Sequence, residues 1–405
     1  MKARPLPAGA ALALCLSVIS CGGGGGGMAT GVSTPPPASA NVASVVVDAG
    51  PNNSSVNTLF TSVTVCVPGS TTNCQTIDHI QVDTGSIGLR ILAPVLTLTL
   101  PVQKATDGNP LVECVAFADG YSWGPVAMAD LQIAGETAAS LPVHIIGDSR
   151  YPTVPSGCSS AGPMAEDTVA AFGANGILGI GVFAQDCGPA CVTMASPQFY
   201  YSCSATACQP ITVPLASQVP NPVTFFAADN NGTIIDLPSV AAPGALTLTG
   251  SLIFGIDTQS NNASGSETVL TVNPNSGDIT AVFNGQPLSQ SFIDSGSNGN
   301  YFTDSSILQC SAKGLSAFYC PPSDLNLMTT LQGANAISAV VNFTVGNAQS
   351  LLDNNPTFAL FPDLAGTNPL PGSFDLGLPF FYGRRVANAL EAQTTSAGMG
   401  PYVAY

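Results

Sequence analysis

Charge is what this sequence has least of. Only 8% of its residues are Asp, Glu, Lys or Arg, against about 25% in ordinary globular chains. Basic residues are the scarcer kind: 8 Lys and Arg stand against 24 Asp and Glu, for a formal charge of −16. That balance excludes a nucleic-acid partner, whose phosphates need a basic footprint. It suits a protein that stays soluble outside the cytoplasm, where acid conditions relieve self-repulsion by protonation. Histidine is nearly missing, His79 and His144 being the two. A histidine-rich metal site therefore has no material, and no metal or other cofactor is expected. Helical periodicity is weak. Beyond the N-terminus, no apolar run is long enough to span a membrane.

What is present favours strands and a large core. The chain has 405 residues, 45% of them hydrophobic, with 42 Gly and 33 Pro. That is enough for two domains or one large bilobal unit. "SVVVDA" (44–49), "LFTSVTVCV" (59–67), "VAMADLQIAG" (126–135), "ALTLTGSLIFGI" (245–256), "ITAVFNG" (279–285) and "AVVNFTVG" (339–346) read as strands. Short helices are expected near 304–317 and 386–394, and "DNNG" (229–232) as a hairpin turn. "DTQSNN" (257–262) and "DNNG" lack a regular calcium-ligand spacing and read as turns. The class is mainly β.

The N-terminus speaks for export. Lys2 and Arg4 precede a short apolar stretch at 9–19, and "VISC" ends at Cys21. Apolar and small residues directly before a cysteine resemble a bacterial lipobox. The resemblance implies cleavage before Cys21 and a membrane lipid anchor on its sulfur; the alternative is an ordinary signal peptide with a chance cysteine. Residues 22–43 read as a Gly- and Pro-rich linker. Gly22, where an Asp would resemble an inner-membrane retention signal, points to the outer membrane.

Ten further cysteines lie outside the leader: Cys66, Cys74, Cys114, Cys158, Cys187, Cys191, Cys203, Cys208, Cys310 and Cys320. An even count in an exported chain implies disulfides. Neighbours suggest 66–74, 187–191, 203–208 and 310–320, leaving 114–158, although spacing does not decide connectivity. Zinc hooks at 187/191 and 203/208 are the rival reading.

Two stretches carry the chemistry. "VDTGSIGLRI" (82–91) and "IDSGSNGNYF" (293–302) share an aliphatic residue, Asp, Thr or Ser, Gly, Ser, any residue and Gly. Each is followed downstream by an apolar pair closed by glycine, Ile177-Leu178-Gly179 and "DLGLPFF" with Leu376-Gly377. Asp83 and Asp294 thus end apolar strands at tight turns. Gly85 and Gly296 let the backbone bend. Thr84 and Ser295 brace the turns, while Ser86 and Ser297 offer hydroxyls to the carboxylates. Brought face to face, two such carboxyls cannot both ionise easily and share a proton. One can then act as general base on water and the other as general acid.

These motifs, with their surroundings, resemble the pepsin-like aspartic proteases over nearly all of residues 44–405. "FADGYSWGPVAMADLQIAG" (117–135) stands where that family has its flap. "NGILGIG" (175–181), "GSLIFGID" (250–257), "FNGQPLSQSFIDSGS" (283–297) and "FDLGLPFFYGRRV" (374–386) follow in the family's order. The whole also resembles an uncharacterised family of bacterial exported proteins. The resemblance implies a bilobal fold with a cleft, an N-terminal lobe at 44–256, a C-terminal lobe at 257–405, and a monomer acting on a peptide or protein substrate. Asp83 and Asp294 would be catalytic, and Phe117, Gly120, Tyr121 and Trp123 would cover the cleft. Two positions depart from the family: Phe117 stands for the flap tyrosine, and Arg90 for a tryptophan, with Tyr121 or Trp123 as substitutes. These departures open a second expectation, a catalytically impaired binding module. "GYSWG" (120–124) also matches a serine-hydrolase nucleophile elbow, but a strand-like run follows it where that motif needs a helix.

Overall fold

Segments rich in β-branched residues fold as strands, and the chain is mainly β. The computed structural model describes residues 40–196 and 199–405; the basic and apolar leader, Cys21 and nearly all of the 22–43 linker lie outside the described residues. The six expected strands form at Val42–Val47, Leu59–Cys66, Tyr121–Ile133, Leu248–Phe254, Ile279–Phe283 and Ser338–Val345. Neither expected helix does. Residues 304–317 run as turns, held by the Asp304 carboxylate accepting the Ser306 amide at 2.9 Å and by the Cys310–Cys320 bridge. Within 386–394 the chain is instead the strand Arg385–Ala389, hydrogen-bonded on both sides. Pairing inside a sheet outweighs a weak helical period there.

"DNNG" is not a hairpin, since a 3₁₀ turn at Pro222–Phe225 rather than a strand precedes it. Asp229 instead accepts hydrogen bonds from the Thr258 hydroxyl and the Gln259 amide, tying this turn to the next. "DTQSNN" is closed by Asn262, whose side-chain Oδ1 accepts the backbone amides of Thr258 at 3.0 Å and Gln259 at 2.7 Å. Among the described residues, no cluster of His, Cys, Asp and Glu is placed to hold a metal, and no helix is long and apolar enough to cross a membrane.

The larger sheet has 15 strands. Its spatial order is Cys208–Pro210, Tyr200–Cys203, Leu111–Ala116, Tyr121–Ile133, Glu136–Ile146, Ile87–Leu92, Gly176–Ile180, Cys74–Asp83, Leu59–Cys66, Val42–Val47, Leu248–Phe254, Gly232–Asp236, Arg385–Ala389, Tyr402–Ala404 and Val269–Thr271. Strands from both sides of residue 256 therefore share it. The second sheet has seven strands, in the order Ser338–Val345, Leu325–Gln332, Ile279–Phe283, Gln286–Ile293, Asp375–Leu376, Asn300–Tyr301 and Ala365–Gly366. One continuous apolar core joins the two, running from Val45, Leu89 and Val143 to Phe302, Phe374 and Phe381. Phe302 and Phe374 stack at 4.8 Å, and each buried ring contributes about 1.5–3 kcal/mol of burial.

Five disulfides join Cys66–Cys74, Cys114–Cys158, Cys187–Cys191, Cys203–Cys208 and Cys310–Cys320. These are the pairs that sequence proximity suggests, and they remove the zinc-hook alternative. Such bonds place the protein in an oxidising setting, extracellular or periplasmic. Cys114–Cys158 closes the longest loop, 44 residues apart. Chain-entropy arguments give such a loop about 4 kcal/mol, against about 2 kcal/mol for the shortest bridge.

Candidate active site

Two strands deliver the two aspartates in the same way. Cys74–Asp83 runs parallel to Gly176–Ile180, with Asp83 opposite Gly179. Gln286–Ile293 runs parallel to Asp375–Leu376, with Ile293 opposite Leu376, and the Asp294 amide donates to the Leu376 carbonyl at 2.9 Å. A Leu-Gly step thus lies beside the end of each aspartate strand, preceded by Ile177 in the first and by Asp375 in the second.

The two turns interlock. Thr84 Oγ1 donates to the Ile293 carbonyl at 3.2 Å and accepts the Ser295 amide at 2.9 Å. In return, Ser295 Oγ donates to the Val82 carbonyl at 2.8 Å and accepts the Thr84 amide at 3.1 Å. All four bonds are buried. Gln81 adds another, its amide donating to the Gly296 carbonyl at 2.9 Å. Nearby, buried Asn57 donates to the carbonyls of Asn298 and Phe361 and accepts the Phe361 amide and the Tyr382 hydroxyl. Sequence reading missed Asn57, since nothing local marks it.

The interlock sets the carboxyls face to face. A Cβ on Gly85 would lie 2.7 Å from Asp294 Cγ, and one on Gly296 would lie 2.5 Å from Asp83 Oδ1. So these glycines are needed for close approach rather than for a bend: neither has a left-handed φ, and each makes room for the opposite carboxyl. The amide of Gly85 donates to Asp83 Oδ1 at 2.7 Å, and that of Gly296 to Asp294 Oδ1 at 2.8 Å. Asp83 is buried and Asp294 half-buried. Burial, then the facing Asp83, then Asp375 push the Asp294 carboxyl well above the ordinary range. The arrangement favours the protonated form of Asp294.

Residues 37–405 match a sequence family described as a protein of unknown function, DUF3443. The chain belongs to that family. No curated protein matches the chain in sequence.

In this DUF3443 chain the two serines behave differently. Ser297 Oγ donates to Asp294 Oδ2 at 2.9 Å. Ser86 Oγ is buried without a hydrogen-bond partner among the described residues, so the expected bond to Asp83 is not made. A third acid, Asp375, lies in the sheet beside the second turn, paired with Phe292 and Tyr301. It is buried, its Oδ1 has no partner, and burial followed by the Asp83 charge raises its carboxyl to about 8. The signal for it was an acid in "FDLGLPFF" where the first repeat has Ile177.

Phe117 to Gly120 form the tip of a hairpin between Leu111–Ala116 and Tyr121–Ile133, closed by the Phe117 amide on the Gly120 carbonyl at 2.8 Å. The hairpin is braced rather than free. Its outer strand pairs with Tyr200–Cys203, Cys114 is bridged to Cys158, and Tyr121 exchanges backbone bonds with Met164 and Glu166. Gly120 is pressed against Glu166, whose carboxyl rises to about 8 through burial and then Asp119.

Trp123 does not cover the site. It is buried against Tyr201 and the Cys114–Cys158 bridge, and its Nε1 donates to the Tyr151 carbonyl at 3.1 Å. Tyr121, two residues away on the same strand face, packs at the margin of that cluster. Only the tip, with Phe117 edge-on to Phe172 at 5.9 Å, remains to cover anything. Ser122 of "GYSWG" is buried inside a 13-residue strand and donates to the Glu166 carbonyl, which is no nucleophile elbow.

Arg90 is fully buried. Its Nη2 lies 2.8 Å from Glu113 Oε1 and 3.5 Å from Asp186 Oδ2. Glu113 Oε2 lies 3.3 Å from His144 Nδ1, and Tyr200 donates to Asp186 at 2.8 Å. Burial, then the Arg90 charge, hold His144 well below its ordinary value, so it stays neutral. Where the resembling family has a tryptophan, this chain therefore has an ion network tying the Asp83 side to the hairpin strand. Glu113, Asp186 and Tyr200 were not legible as its members.

Proposed function

We propose that the chain is an aspartic endopeptidase of bilobal, pepsin-like build, its lobes dividing near residue 256 and its two aspartate turns at the floor of the cleft between them. The observation that carries this reading is the reciprocal seating of the two carboxyls, each against the other turn's glycine. The ionised member takes a proton from water as the water oxygen bonds to the peptide carbonyl carbon. The protonated member gives its proton to the carbonyl oxygen, and a tetrahedral diol forms. On collapse, one diol hydroxyl returns its proton to a carboxylate. The departing nitrogen takes a proton from the other carboxyl as the C–N bond breaks. No step calls for a metal or cofactor. The substrate is a peptide or protein, met by a monomer. The disulfides support an exported setting, and we place the chain on the outer membrane through lipid on Cys21.

The second reading, a binding module, is favoured by the hairpin tip. Phe117 has no hydroxyl, and Arg90 is spent inside the core network. Incubation with a broad peptide library across acid to neutral pH separates the two. Cleavage between apolar residues, blocked by a statine-type mimic and cut a hundredfold or roughly more by Asp83→Asn or Asp294→Asn, is the expected result. Binding of the mimic with no cleavage at any pH would make the cleft a recognition site.

A further inference from the structure

We infer that the free edge of the strand Ser338–Val345 and the cavity beside it form a docking groove for the C-terminal end of an extended peptide. The peptide backbone adds to the sheet, its last side chain fills the cavity, and its carboxylate meets Arg384. The inference is independent of the protease reading, since it asks nothing of Asp83 or Asp294.

Ser338–Val345 is the outermost strand of the seven-stranded sheet. It pairs with Leu325–Gln332 at eight successive positions, from Leu325 opposite Val345 to Gln332 opposite Ser338. Among the described residues, no backbone hydrogen bond runs from it to any other segment. The remaining ends of the two sheets are short: Ala365–Gly366 has two residues, and Cys208–Pro210 and Val269–Thr271 have three each. Exposed edges are ordinarily blunted by shortness, charge, proline or a bulge. This one has none of these. Its pairing is unbroken, and no charged residue and no proline stands between Asp324 and Asp353. Val340 is exposed on it and Met328 on its neighbour.

A cavity of about 140 Å³ lies along this edge. Val341, Asn342, Phe343 and Thr344 line it in succession, and no residue of Leu325–Gln332 does, so it opens on the side away from the paired strand. Phe374 and Phe380 form an apolar wall. The Gly346 amide on the Asp363 carbonyl, at 2.9 Å, closes the groove where the strand ends. Two polar side chains at the wall lack the partners their chemistry calls for. Asn300 is 4% exposed, and its Oδ1 has no hydrogen-bond partner among the described residues. Arg384 is half-buried over the Phe380 ring, 4.6 Å from its centroid, and donates to the Phe380 carbonyl. Arg90, Arg150 and Arg385 each pair with a carboxylate; among the described residues Arg384 pairs with none.

These features select one occupant. A second copy of the chain, edge to edge, would use the strand but leave the cavity and Arg384 unused. An internal Glu would send its charge into the apolar cavity. A C-terminal residue carries an apolar side chain and a carboxylate on the same Cα, which matches a cavity of this size beside a cation. Strand addition supplies the backbone bonds, the cavity supplies selectivity, and the unpaired Asn300 Oδ1 offers an acceptor to a peptide amide. Asp363 is the acid on the wall, and burial followed by Asp324 raises its carboxyl. Mild acid therefore weakens its opposition to an incoming carboxylate, which stays ionised.

The test measures binding of an N-terminally labelled peptide, Thr-Val-Thr-Val-Thr-Val, to the mature, disulfide-bonded protein by fluorescence anisotropy at roughly pH 5, where a terminal carboxyl is ionised. The free acid should bind about tenfold or more tightly than the C-terminal amide, because only the acid pairs with the guanidinium. Arg384→Gln should erase that difference. Peptides N-methylated on one or the other alternate set of amides should differ, one set losing binding and the other keeping it, since a strand added to an edge turns only one set toward the sheet. The acid and amide comparison is made on the wild-type protein, so it decides even if Arg384→Gln fails to fold. Equal binding of acid and amide, or no binding, overturns the inference. So does displacement by a statine-type mimic, which would place the peptide at the aspartates. A chain that instead forms a concentration-dependent dimer and ignores the peptide also overturns it, and assigns the edge to a second copy.

Discussion

Thr84 and Ser295 hold each other across the two turns: Thr84 Oγ1 accepts the Ser295 amide at 2.9 Å, and Ser295 Oγ accepts the Thr84 amide at 3.1 Å. Each hydroxyl also donates to a carbonyl one residue before the opposing aspartate. The aspartates are therefore placed by a buried lock between segments 211 residues apart, and not by their own turns alone.

Breaking that lock should be costly from either side. Thr84→Val strands the Ser295 amide, and Ser295→Ala strands the Thr84 amide, each at about 1–3 kcal/mol for a buried unpaired donor. Urea unfolding of the single and double variants should show coupling of about 0.5–3 kcal/mol, because either loss lets the turns part. Small, additive effects would mean that the turns are positioned by something else.

The glycines of the turns should tolerate no side chain. Gly85→Ala puts a methyl against the Asp294 carboxyl, and Gly296→Ala puts one against Asp83. Overpacking of this kind costs about 1–3 kcal/mol. The larger consequence is separation of the carboxyls. Both variants should lose binding of a statine-type mimic, measured by calorimetry, while keeping the wild-type circular dichroism. Retained affinity would show that the pair does not need close approach.

Much of this site is legible in the sequence because it is local. The Asp-Thr/Ser-Gly-Ser order names Asp83 and Asp294, and the interlock uses the residues next to them. Asp375 is hidden because its partners are made by parallel pairing with a strand about 80 positions earlier, and only the loss of an aliphatic residue hints at it. The Arg90 network is hidden for the same reason, since Glu113, His144 and Asp186 come from separate segments. Trp123 was misplaced because alternation along a strand gives two faces without saying which one turns toward the aspartates. The Cys114–Cys158 bridge and Tyr201 decide that, and they take the tryptophan. Of the two expected helices, the weak period at 386–394 loses to sheet pairing, and 304–317 is held as turns by Asp304 and the Cys310–Cys320 bridge.

Stability should fall as pH rises. Glu166 and Asp375 each have a folded-state value raised to about 8, chiefly by burial. A carboxyl so raised contributes fully when protonated, below its ordinary value in the unfolded chain. Its contribution is lost as pH climbs through the folded value. The urea midpoint should therefore drop between roughly pH 5 and pH 9, with a loss on the order of a few kcal/mol. Glu166→Gln, which cannot ionise, should flatten the curve. A midpoint rising with pH over that range would contradict the burial of both acids.

Restoring the residues of the resembling family at the hairpin should divide into one gain and one loss. Phe117→Tyr adds a hydroxyl at a half-exposed tip whose ring already rests on Phe172, so the fold has no reason to object. If the chain is a protease limited by a poor cover, this change should raise kcat/KM. If it is a binder, the affinity for the mimic should change without turnover. Arg90→Trp is a different matter. It removes the cation that Glu113 and Asp186 share in a region closed to water, and it adds bulk where the strand is fully buried. Leaving buried carboxylates without their partner costs about 3–5 kcal/mol. The Arg90→Trp protein should unfold at markedly lower urea, and the double variant should be no better. Compensation would require Glu113→Gln and Asp186→Asn in the same chain, recovering a good part of the loss. An Arg90→Trp protein as stable as wild type would show that the network is not what ties the hairpin strand to the Asp83 side.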